Sequence, residues 1–158
     1  MKKQILLVCF VLGMLSTKAQ QNNGSNYTTA LGVKIYPGAV SVKHFLKPNQ
    51  AIEGLGFFTK DMVRFTGLYE IHNQLGSVEG LQWYIGGGGH FGFGNDHWQD
   101  IGVRPEGFSM GIDGVLGIDY KVKGAPLNLS FDWQPSFVLI SQPNFQGGWG
   151  GLGIRYTF

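Results

Sequence analysis

The sequence predicts an all-β chain: an eight-stranded antiparallel up-and-down transmembrane β-barrel with short periplasmic turns and longer extracellular loops. Three observations lead there. The last eight residues alternate, with Leu152, Ile154, Tyr156 and Phe158 on one face and Gly151, Gly153, Arg155 and Thr157 on the other. A strand this apolar on one side and polar on the other fits a wall that faces lipid. Beyond the N-terminal segment no apolar run approaches the roughly 20 residues of a membrane-spanning helix, so a spanning chain must close a sheet on itself. Finally, 26 glycines and 14% aromatic residues suit curved strands and interfacial girdles.

The N-terminus reads as an export signal. Lys2 and Lys3 precede the apolar run Ile5 to Leu15, and the small residues Thr17 and Ala19 follow in cleavage-site spacing. That run is too short for a spanning helix. The expected organisation is a cleaved signal peptide over 1–19 and one barrel domain over 20–158. Three of the 12 Lys and Arg (Lys2, Lys3, Lys18) leave with the signal, so nine bases face 10 acids and the formal charge of +2 disappears. No electrostatic case for a nucleic-acid partner remains. The single cysteine, Cys9, leaves too, which excludes a disulfide, a thiolate metal site and a cysteine nucleophile from the mature chain.

Turn residues and alternation then lay out the strands in order. The first, about 28–36, sets Leu31, Val33 and Ile35 against Gly32, Lys34 and Tyr36, before a Pro37-Gly38 turn. The second, about 39–46, sets Val40 and Val42 against Ser41 and Lys43 and stops at Lys47-Pro48-Asn49-Gln50. In the third, about 51–59, Ile52 and Phe58 oppose Glu53. After Lys60-Asp61 the fourth, about 63–72, alternates Val63, Phe65, Tyr69 and Ile71 with Arg64, Thr66, Glu70 and His72.

The fifth, Leu81 to about Phe93, opposes Trp83, Ile85, Phe91 and Phe93 to Gln82, Tyr84, His90 and several glycines. A long polar segment, about 94–108, leads to the sixth, about 109–121, with Met110, Ile112, Leu116, Ile118 and Tyr120 against Asp113 and Asp119. The seventh begins at Leu127, with Leu129, Phe131 and Trp133 facing away from Asn128, Ser130, Asp132 and Gln134. A loop over roughly 138–149 precedes the terminal strand. Even strand number puts both termini and the turns near 47, 76 and 124 at the periplasmic end, and the loops near 37, 60, 100 and 143 outside.

One face of these strands carries Lys34, Lys43, Arg64 and Arg155 with Glu53, Glu70, Asp113, Asp119 and Asp132. An eight-stranded barrel is just wide enough for side chains to fill. Charges enclosed there must pair, which predicts a salt-bridge and hydrogen-bond network plugging the interior, with a gated ion path as the competing reading.

Other motifs carry less. Gly86 to Gly89 run into His90 and Phe91, without the Lys and Ser or Thr of a phosphate loop; strand curvature explains them. His44, His72, His90 and His97 lack metal-binding spacing. No cofactor is predicted. For catalysis, His90, Asp96, His97 and Asp100 near the outer rim form a candidate acid–base group with Ser109 as nucleophile, although no His-x-Ser pattern lies on one strand. The expected function is non-catalytic. Trp98, Arg104 and Phe108 in the 94–108 segment, and Phe145 and Trp149 in the 138–149 loop, are candidate loop residues for an extracellular ligand. Aromatic girdles at the headgroups compete with that reading.

With its signal, strand count, inward polar alternation and final Tyr156-Thr157-Phe158, the chain resembles the small eight-stranded outer-membrane barrels of the OmpX and OmpA transmembrane-domain kind. Tyr36-Pro37-Gly38 through Ala51-Ile52-Glu53-Gly54, and Leu68-Tyr69-Glu70, also resemble a group of small outer-membrane β-barrel proteins. The resemblance implies a monomer in the bacterial outer membrane, in contact with its lipids and delivered by periplasmic chaperones to the barrel assembly machinery. Tyr156 and Phe158 would form the C-terminal assembly signal. It also implies two alternatives to a structural or surface-interaction role: lipid A modification by acyl transfer or deacylation, and a narrow ion-conducting pore.

Overall fold

A computed structural model describes residues 27–59, 62–94, 107–140 and 143–158. The expected signal peptide lies outside them. Eight strands follow in chain order: β1 (Thr29–Ile35), β2 (Ala39–Lys47), β3 (Gln50–Phe58), β4 (Met62–Gln74), β5 (Leu81–Gly94), β6 (Phe108–Lys121), β7 (Leu127–Ile140) and β8 (Asn144–Thr157). Each pairs antiparallel with the next. β8 returns to β1, with Ala30 opposite Thr157 and Ile35 opposite Leu152, so the sheet closes as an up-and-down barrel, and there is no helix among the described residues.

Closure pairs the two edge strands along Ala30–Ile35 and Leu152–Thr157 and leaves the sheet two faces, the wall and the interior. Along each strand burial alternates with a period of two, and the sense is inverted relative to a water-soluble barrel. On β7 Phe131 is 60% exposed beside Asp132 at 3%; on β8 Tyr156 is 53% exposed beside Arg155 at 0%. A ring of Phe, Ile, Leu and Val thus forms the outer wall.

Strand length sorts the barrel into two sides. β1 to β3 have seven to nine residues, whereas β4 to β8 have 13 or 14. At about 3.3 Å per residue and a tilt near 40°, a 14-residue strand rises roughly 35 Å and a nine-residue strand roughly 23 Å. The excess projects at the end opposite the termini. There the first half of β8, beyond Gly151, pairs with β7 alone, because β1 ends at Ile35.

Three corrections to the sequence reading follow. The segment 138–149 is not a loop: β7 continues to Ile140 and β8 begins at Asn144. Its glycines and Gln-Pro-Asn signal disguised the strand, and Pro135, which has no N–H for the ladder, sits at a register shift between Gln134 and Ser136. Two residues of β8 are taken up there without regular partners, so alternation read from the C-terminus falls out of phase. Tyr36 does not face inward; it occupies the β1–β2 turn at φ +86° and is 77% exposed. Leu55, Phe57, Leu68 and Val115 share the inward face with the charges, where polar residues alone were expected.

At the terminal end, Phe158 is tied back to β1 through its N–H to the Thr29 carbonyl at 2.8 Å and the Thr28 N–H to its own carbonyl at 3.2 Å. The β4–β5 and β6–β7 turns are joined by Lys123 and Glu79, 2.9 Å apart. That hydrogen bond raises the Lys123 ammonium above its ordinary pKa.

Candidate functional site: a charged network inside the barrel

All nine charged residues of the predicted inward face stand inside the barrel, none more than 5% exposed. Shared strand parity aims them at the axis, and closure brings together residues as far apart in sequence as Glu53 and Arg155. They form two groups.

The group nearer the termini centres on Arg155. Its guanidinium donates to Glu53, to Ser41 Oγ at 2.7 Å, to Ser130 Oγ at 2.7 Å and to Asn128 Oδ1 at 3.1 Å. Four partners on three strands, β2, β3 and β7, use nearly its whole donor fork, which only an arginine presents in a plane. Lys34 Nζ lies 2.8 Å from Asp132 Oδ2, which also accepts from Tyr84 Oη at 2.6 Å. Lys43 Nζ lies 2.8 Å from Glu70 Oε2 and 3.5 Å from Asp119 Oδ1, and 4.2 Å above the Tyr84 ring. Asp119 further accepts from Asn128 and from Tyr27 Oη. His72 Nε2 meets Glu70 Oε2 at 2.9 Å and its ring stacks on Tyr84 at 4.8 Å.

The second group lies toward the far end. Arg64 donates to Asp113, to Ser136 Oγ at 3.0 Å and to Thr66 Oγ1 at 3.2 Å, and its guanidinium sits 4.0 Å over the Trp149 ring. His90 Nδ1 meets Asp113 Oδ2 at 2.9 Å.

Leu55, Phe57, Leu68, Val115 and Ala39, with Tyr84 and Trp149, pack between the groups. On β4 Leu68 stands between Thr66 and Glu70; on β6 Val115 stands between Asp113 and Asp119. Phe57 meets Trp149 edge-on at 4.9 Å. The layer was legible in part, because Leu55 and Phe57 share the parity of Glu53. His72, Tyr84, His90, Asn128 and Ser130 were placed on the inward face by alternation, but their partners could not be read before the strands were closed.

The other predicted residues separate. Trp98 and Arg104 lie outside the described residues, as do Asp96, His97 and Asp100. Phe108 is no loop residue: it opens β6 on the outer wall, its ring 5.6 Å from Phe93. Phe145 stands on β8 opposite Phe137, 63% exposed. Trp149 turns inward, its indole N–H donating to Gln146 Oε1 at 2.7 Å. Tyr156 faces out and meets Phe158 edge-on at 5.0 Å. His90 is 3% exposed, and both Asp113 and Ser136 approach its Nδ1. No serine therefore reaches Nε2 in the manner of a Ser-His-Asp relay among the described residues. Ser109 lies on β6 opposite Gly92.

No family model, curated protein or solved structure matches the chain.

Proposed function

We propose that this chain is a small integral outer-membrane β-barrel of the OmpX and OmpA transmembrane-domain kind, with a plugged polar interior and a structural or surface-interaction role without catalysis. One observation carries the reading: the closed barrel is inside out, with large apolar side chains exposed on every strand of its outer wall and paired charges within. In water that wall would be an aggregation surface far above the few hundred Å² that soluble monomers expose. In a bilayer it is the complementary solvent, and the closing β1–β8 ladder pairs backbone that an open sheet would leave bare in the hydrocarbon. The terminal Tyr156 and Phe158 on that wall suit a signal read by the assembly machinery, and the strands projecting past β1 suit display outside the cell.

The plug reading rests on Arg155, Lys34, Lys43 and Arg64, each tied to carboxylates across the lumen. The apolar layer between the two groups supports it. Single-channel recording of the refolded mature chain in planar bilayers, after heat-modifiable migration on a gel has established folding, tests the proposal. A folded but silent barrel is the expected outcome. Stable discrete openings would make the protein a narrow pore.

A further inference from the structure

The charged group nearer the termini does not balance. Lys34, Lys43 and Arg155 face Glu53, Glu70, Asp119 and Asp132, three cations against four carboxylates. The second group, Arg64 with Asp113, balances by itself. An uncompensated charge enclosed by a closed barrel is strongly disfavoured and is relieved by proton uptake more readily than by tolerance.

Two oxygens mark where the compensation sits. Among the described residues, buried Glu53 Oε2 and Glu70 Oε1 have no hydrogen-bond partner. Glu53 Oε2 is 3.6 and 3.8 Å from the Lys34 and Lys43 ammonium groups, beyond hydrogen-bond reach. On adjacent strands Glu53 lies opposite Leu68, so Glu70 is its diagonal neighbour, and both carboxylates converge on the same Lys43 ammonium, at 3.8 and 2.8 Å. Carboxylates so placed repel unless one carries a proton.

The other candidate for the positive charge is His72, also on Glu70. Its Nδ1 is buried without a partner. An imidazolium would leave that second N–H a cationic donor with nothing to bond, whereas a neutral ring needs only the Nε2–H donated to Glu70. Among the described residues, the titratable and charged groups packed around the pair are Tyr27, Lys34, Lys43, His72, Tyr84, Asp119, Asp132 and Arg155.

We infer that the barrel interior contains a proton-binding site, in which one proton is held between Glu53 and Glu70 and the pair acts as a single negative charge. Glu53 keeps the negative end against Arg155, and Glu70 carries the hydrogen. The site rests on the interior geometry and does not depend on the membrane reading.

Infrared spectroscopy of the folded chain in detergent, exchanged between H2O and D2O at neutral pH, tests this. The carbonyl stretch of a protonated carboxylic acid, shifting on deuteration, is expected in the wild type and absent from Glu70→Gln. Gln resembles the protonated acid, so this variant is expected to keep heat-modifiable migration and its urea midpoint, while Glu53→Gln lowers the midpoint by stripping Arg155 of its partner. Should Glu70→Gln fail to fold, carboxyl carbon shifts of the wild type by NMR decide, with one glutamate expected in the protonated range. A wild type without such a carboxyl overturns the proposal. Two N–H protons on His72 would then assign the charge to the imidazole, and a midpoint that changes when sodium replaces potassium would assign it to a bound cation.

Discussion

Arg155 shows how one residue becomes indispensable through its position. Alternation places it inward on β8, closure surrounds it with Glu53, Ser41, Ser130 and Asn128, and it is 0% exposed. The net worth of such a pair is small, because desolvation offsets most of the attraction, but removing one partner strands the other. Arg155→Met is therefore expected to destabilise the barrel by about 3–5 kcal/mol through unpaired Glu53, read as a lower urea midpoint of the refolded protein. A smaller loss from the double change Arg155→Met with Glu53→Met would show that stranding, rather than lost attraction, sets the cost. Unlike Arg155, Lys123 pairs with Glu79 on an exposed turn, where ion pairs contribute little.

At the scale of the strand, β5 is set by its glycines. Gly86 and Gly88 lie opposite Glu70 and Leu68 where β5 runs against β4, and a Cβ there would come within 2.1 Å of the Tyr69 carbonyl oxygen and 1.8 Å of the Gly67 carbonyl oxygen. Backbone cannot move aside as a side-chain end can, so the ladder between β4 and β5 requires glycine. Gly67, on the outer face, meets nothing within 4 Å. Gly88→Ala is expected to abolish or sharply lower the refolding yield, while Gly67→Ala refolds like the wild type; the fraction with heat-modifiable migration measures both. The run Gly86 to Gly89 was legible in sequence as strand rather than phosphate loop. Which of its glycines were obligatory was not, because that depends on β4.

The whole molecule is defined by which side of its wall is apolar. Trp133 stands on the wall, 50% exposed, and Trp149 stands inside against Arg64. In vesicles of brominated lipid, a variant retaining Trp133 as its sole tryptophan is expected to lose most of its fluorescence. One retaining Trp149 alone is expected to lose little. Equal quenching would mean that the wall is not the lipid-facing surface. Strand lengths add to this picture: β2 and β3, of nine residues each, rise about 23 Å, close to the roughly 25 Å apolar band of outer-membrane barrels, and the longer strands carry Phe145 and Ile140 beyond it.

Period-two alternation is a local property of sequence, and it determined the eight strands, the inward placement of all nine charges and the outward placement of Phe131, Trp133 and Tyr156. It failed where the pattern changed phase: the register shift beside Pro135 and the glycines of β8 turned two strand ends into an apparent loop, and so misplaced Phe145 and Trp149. Tertiary structure alone decided the pairing, because the partners of Lys34, Lys43 and Arg155 come from strands up to 114 residues distant. Which inward residues share a level depends on the stagger between strands, fixed only when β8 meets β1. The three-to-four imbalance around Glu53 and Glu70, and the Leu68–Val115 layer that separates it from Arg64, follow from that stagger; side-chain alternation says which face a residue takes but not its height along the axis.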